Sequence, residues 1–154
     1  MSSTLSSTRT ALSISDALET IENLSLKTLQ SNGAWSTYKI LTHCAQSVEC
    51  SILGYPKQNS KLFQKTIGKL AFYSFSFLGQ MHHPLDEEIP CAPDIEDSGN
   101  LDEALQRLNQ AYLDFSNYTG PLSPHFAYGE LSREEYSLAH VMHLNNHLQE
   151  IQVL

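Results

Sequence analysis

The chain has 154 residues, 41% of them hydrophobic, which suits one domain built around a single core, and no second domain is expected. Its formal charge of -8, from 9 Lys+Arg against 17 Asp+Glu, offers no basic surface to follow a phosphate backbone. Nucleic acid and anionic membrane surfaces are therefore not expected partners.

The first twelve residues, opening MSSTLSSTRT, read as a flexible Ser/Thr-rich tail, and residues 13–154 as one helical domain. No apolar run has the length of a signal peptide or a bilayer span, so the expected compartment is the cytoplasm. Cys44, Cys50 and Cys91 are odd in number and lack a CxxC pairing, which suggests reduced thiols. Cys44 and Cys50 read as small core residues.

A first helix starts near Ser13 or Ser15, with Asp16 in its first turn. It carries Leu18, Ile21, Leu24, Leu26 and Leu29 until Ser31-Asn32-Gly33 stops it. Ser36 caps a second helix whose stripe is Ile40, Leu41, Cys44, Ala45, Val48 and Ile52, broken by Gly54-Tyr55-Pro56. His43 lies beside that stripe, about 60° from Ile40. Residues 61–78 form an additional helical segment; AFYSFSFL within it also reads as a strand, and helix is chosen because its surroundings are helical. Its aromatics Phe72, Tyr73, Phe75 and Phe77 read as core, the competing reading being a dimer surface.

Residues 80–99, with IPCAP at 89–93, form a long ordered loop. His82 and His83, before Pro84, read as an exposed helix end. Asn100 and Glu103 carry a capping-box pattern for a third principal helix through Phe115, stopped by Tyr118-Thr119-Gly120-Pro121. The last helix has Ser132 as cap, Glu135 reaching back and Leu131 with Tyr136 as a staple. His125, Phe126, Tyr128 and Gly129 before it read as a structural turn, with Gly129 in a conformation closed to other residues.

Four principal helices imply a bundle. A short link makes the first two antiparallel, more than forty residues between the second and third allow these to run parallel, and the turn before the last helix reverses the chain again. The order is up, down, down, up. His140, His143 and His147 share roughly 60° of the last helix, beside Leu144, Leu148 and Ile151. His43 lies about 10 Å from the start of its helix, and the His143/His147 pair roughly 7 to 13 Å from the end of the last. Antiparallel packing brings them to one level, where imidazoles one turn apart plus one from a facing helix suit a transition metal.

The segments WSTYKILTHCAQSVECSILGYP, EEIPCAP, HFAYGELSREEY and HLNNHLQEI cover most of residues 35–151. They resemble the DinB-like superfamily of four-helix bundles, which includes YfiT-like metalloproteins, and more closely an uncharacterised bacterial branch of it. The resemblance implies an all-α DinB-like four-helix bundle with one metal-binding His in the second helix and a His-x-x-x-His pair in the last. Residue by residue these are His43, His143 and His147, which leaves His140 as a neighbour. Asn146 stands where the branch often has another His, and Phe126 where it has Pro, so the loop's role does not carry over.

The resemblance also implies a divalent transition metal, zinc or nickel with iron as a further option. The implied activity is a metal-dependent thiol transferase or hydrolase acting on a small molecule, with a low-molecular-weight thiol as candidate partner. The alternatives are a non-catalytic metal-binding or stress-response bundle, and a metal-free bundle that forms a homodimer through its aromatic segment. No general base emerges from the sequence: Glu49 and Glu150 lie on the right helices but read as solvated carboxylates.

Overall fold

The computed structural model describes residues 12–154 and is mostly helical, as the hydrophobic periodicity requires. The tail expected at 1–12 falls outside the described residues except for Leu12, which packs against the core.

Helix α1, Ile14–Ser25, starts at Ser13, whose hydroxyl accepts from the Asp16 amide. It ends one turn earlier than its apolar pattern predicts: Leu26 is 78% exposed, and Leu29 is buried in a short strand, β1 (Leu29–Ser31). β1 pairs antiparallel with β2 (Ile151–Val153), Leu29 opposite Val153 and Ser31 opposite Ile151. The same ribbon ends the last helix at Leu148, so Ile151 belongs to β2 and not to the predicted helical stripe. Pairing across some 120 residues satisfies both segments' backbone groups, which local periodicity cannot register.

Helix α2, Thr37–Leu53, is capped by the Ser36 hydroxyl, which accepts from the Lys39 amide, and ends at Gly54 in a positive-φ conformation. It is buried on nearly all sides, as a helix surrounded by others must be, so His43 is only 3% exposed. Cys44 and Cys50 are buried free thiols, and Cys91 is exposed.

Residues 61–78 are helical throughout: α3 (Lys61–Phe63), a π-helical turn (Gln64–Gly68) and α4 (Lys69–Leu78). Of the four aromatics here, Phe72 is 1% exposed and Phe75 packs against the core, whereas Tyr73 and Phe77 face solvent, Phe77 being 91% exposed. The core reading therefore holds for half of them. Gly68 lies against the Ala127 carbonyl so closely that a Cβ would stand 1.9 Å from its oxygen. The loop after α4 has no regular structure, yet Met81 and Ile89 bury themselves in the core and Lys39 pairs with Glu88 at 3.0 Å.

Helix α5, Leu101–Asn117, is capped by the Asn100 side chain, and α6, Arg133–Leu148, by the full reciprocal box of Ser132 and Glu135. Helix α2 packs on α5 and α6, α1 packs on the same two, and α4 touches α6. No helix among the described residues is long and apolar enough to cross a membrane.

Candidate metal centre

Helix α2 and helix α6 bring His43, His143 and His147 together, with one ring nitrogen of each within 4.8 Å of the others. The Nε2 atoms of His43 and His143 are 3.2 Å apart, as are those of His147 and His143. Two nitrogens at 2.0–2.1 Å from one tetrahedral ion stand about 3.3 Å apart, so the spacing already matches a shared cation. These three could hold a metal ion, and no other group of three such residues does so among the described residues.

Burial sets their charge. Desolvation first, and the neighbouring His83 second, pulls His43 down to about 4. Desolvation, then His43 and His83, takes His147 to about 3, and His143 falls well below the ordinary range because of burial and then His147 and His43. Neutral imidazoles have lone pairs to offer a metal. Trp35 walls the group on one side, stacked on His147 and edge-on to His43. The Nδ1 atoms of His43 and His147 are buried without a hydrogen-bond partner, so on both rings Nε2 is the nitrogen that meets a neighbour.

His140 takes no part in the group. Its Nε2 bonds the Ser51 hydroxyl at 3.0 Å, its ring packs edge-on to Phe115, and desolvation lowers it to about 3. His125 is a structural turn residue, as read from the sequence: its Nδ1 accepts from the amides of Ala127 and Tyr128, and it pairs with Gly129, whose φ is 75°. Glu49 and Glu150 supply no base at the cluster. Glu49, expected to be solvated, instead makes a two-pronged bond with Arg107 that ties α2 to α5. Glu150 has one carboxylate oxygen buried without a partner, and its carboxylate lies against Gly33.

A cavity of about 310 Å³ adjoins the cluster, lined in part by His43 and His143 and by apolar Phe63, Met81, Phe126 and Tyr128. His83 lines it too. Expected at an exposed helix end, His83 instead stacks on His143 with ring centres 5.1 Å apart and meets His147 edge-on. The reason is that α4 stops at Leu78 and the following loop folds inward on Met81. An apolar residue two positions before the second His of a His-His-Pro step was the one signal for this.

A family described as "Protein of unknown function (DUF1569)" matches residues 7–153. No curated protein and no solved structure matches the chain.

Proposed function

The chain belongs to the DUF1569 family, and from the three imidazoles that meet beside a cavity within it we propose a protein that binds a divalent transition metal and acts on a small molecule. His43, His143 and His147 are the ligands, and the ion is zinc or nickel, with iron as a further option. Bound there, such an ion supplies Lewis acidity, which lowers the pKa of a coordinated water or thiol and polarises a carbonyl. The chain's own part is to hold three neutral nitrogens in place, to exclude water with Trp35, and to open one face to a cavity lined by apolar Phe63, Met81 and Phe126 and by the carboxylates of Glu87 and Glu88.

The reaction is transfer to or from a low-molecular-weight thiol, or hydrolysis of a small molecule. The observation that carries it is the placement of His43 and His143 in the cavity wall, since a metal that served only stability would be closed off by a fourth protein ligand. Cobalt substitution tests this: the visible spectrum should shift on adding a low-molecular-weight thiol, and the His143→Ala variant should lose the shift. The second reading, a structural or sensing metal, is favoured by the lack of any carboxylate in the cluster among the described residues, and an unresponsive cobalt spectrum would select it.

The wider assignment is to the DinB-like superfamily, with α1, α2, α5 and α6 as an up-down-down-up four-helix bundle in a single domain. Support comes from the packing of α1 and α2 on both α5 and α6, and from the meeting of an early α2 residue with the last turns of α6. The compartment is the cytoplasm, in keeping with two buried free thiols and one exposed.

The partner protein is a second copy of this chain. Leu62, Leu70, Tyr73 and Phe77 form an exposed apolar stripe along the α3–α4 segment. Residues 50–85 contain four Lys and no acid, whereas 86–103 contain eight acids, so one copy's basic helix complements the other's acidic loop.

A further inference from the structure

Two histidines in the cavity wall have their tautomers fixed by backbone, in opposite senses. His83 Nδ1 lies 2.7 Å from the Pro84 carbonyl oxygen, which can only accept, so Nδ1 carries the proton and Nε2 is left as an acceptor. That Nε2 is buried and has no partner. His125 is the reverse: its Nδ1 accepts from two backbone amides, so the neutral ring carries its proton on Nε2 and donates. Both rings line the cavity that reaches His43 and His143.

A buried acceptor with no donor is costly to keep, and a fold that spends no side chain on satisfying it leaves the donor to be supplied by water or, where one binds, by a ligand that displaces it. The cation itself is a poor candidate to fill that need, because the His83 nitrogens fall outside the group of ring nitrogens that converge. His83 nevertheless stacks on His143, ring centres 5.1 Å apart, in the same cavity wall. The wall combines apolar Phe63, Phe126 and Tyr128 with the carboxylates of Glu87 and Glu88, which repel a bare anion and suit a neutral organic molecule with donors to offer.

We propose that His83 is a specificity-determining residue whose Nε2 accepts a hydrogen bond from the ligand at the metal, so that the site selects small, largely apolar molecules with an N–H or O–H beside the coordinating atom. The proton on His125 Nε2 adds a donor on a residue of the same cavity wall. This rests on the metal reading above, since the metal holds the ligand that His83 reads.

The test uses the full chain loaded with zinc and two probes that differ by one hydrogen-bond donor, benzohydroxamic acid and N-methylbenzohydroxamic acid. Both coordinate through oxygen and both carry a phenyl ring for the apolar wall. Titration calorimetry should show the wild-type chain preferring the N–H probe by about tenfold, the size expected of one buried hydrogen bond. His83→Leu should bind the two alike, and His83→Gln, whose amide oxygen can accept, should recover part of the preference. Equal binding of the two probes by the wild-type chain overturns the proposal without need of a variant, and so does a preference that survives in His83→Leu. Zinc content is measured on every sample. A wild-type chain that holds no zinc overturns the metal reading and this inference together, whereas full zinc without discrimination overturns this inference alone.

Discussion

The Nε2 atoms of His43 and His143 lie 3.2 Å apart although a hundred residues of chain separate them. Neutral nitrogens so close have two ways to avoid lone-pair repulsion, a shared proton or a shared cation, and His147 at 3.2 Å from the same His143 atom favours the cation. His43→Ala and His147→Ala should each lose most bound zinc or nickel at neutral pH, while His125→Ala keeps it. Metal analysis of protein purified without an affinity tag checks this; full occupancy in the His43 variant would remove the assignment.

Gly68 should tolerate no side chain. A Cβ there would meet the Ala127 carbonyl oxygen, a backbone atom, at 1.9 Å, and the turn that carries His125 and Tyr128 would have to move off the helix. Gly68→Ala should lower stability by about 1–3 kcal/mol, the usual range for overpacking. Because that turn lines the cavity, ligand affinity should fall in parallel. An unchanged urea midpoint would mean that the turn yields freely.

Ser132→Ala should cost about 1 kcal/mol, because the Ser132 hydroxyl accepts from the Glu135 amide at the start of α6. Helix α6 carries two of the three clustered imidazoles, so the loss should be most visible in metal-free protein. Urea unfolding with and without zinc measures both quantities.

Acid should destabilise the metal-free protein earlier than its carboxylates alone would. Burial lowers His140 and His125 to about 3, from an ordinary value near 6.5 in the unfolded chain. Above pH 6.5 neither state binds these protons and the groups contribute nothing. As pH falls below 6.5 the unfolded chain takes them up and the folded chain does not, so stability drops steadily down to about pH 3. Chemical unfolding at pH 7, 6 and 5 should show a falling midpoint; a flat profile across that interval would contradict the burial of these rings.

Phe77 is 91% exposed on the stripe proposed to join two copies. Phe77→Glu should convert a dimer into a monomer, with an unchanged helical signal, because the residue makes no core contact. Light scattering during size-exclusion chromatography decides this, and a wild-type chain that is monomeric at all concentrations would dismiss the dimer.

Helices announce themselves in sequence where capping chemistry and apolar spacing agree, and that is why Ser36, Asn100 and Ser132 mark the starts of α2, α5 and α6 correctly, while of the two serines open for α1 it is Ser13 that caps it. The meeting of His43 with His143 and His147 was likewise legible, because fixed rise per residue sets the level of each once the second and last helices are expected to run antiparallel. What local pattern could not carry was any choice made between distant segments. The β1–β2 ribbon took Leu29 and Ile151 out of their predicted helices, and α4 was left with Tyr73 and Phe77 in solvent where a core was expected. His83 is the sharpest case. Sequence reads it as an exposed helix end, and only the inward fold of the loop over Met81 puts its ring against His143 and leaves its Nε2 buried without a partner. Periodicity reports which face of an element is apolar, whereas which loop closes over a site depends on the space that the packed helices leave.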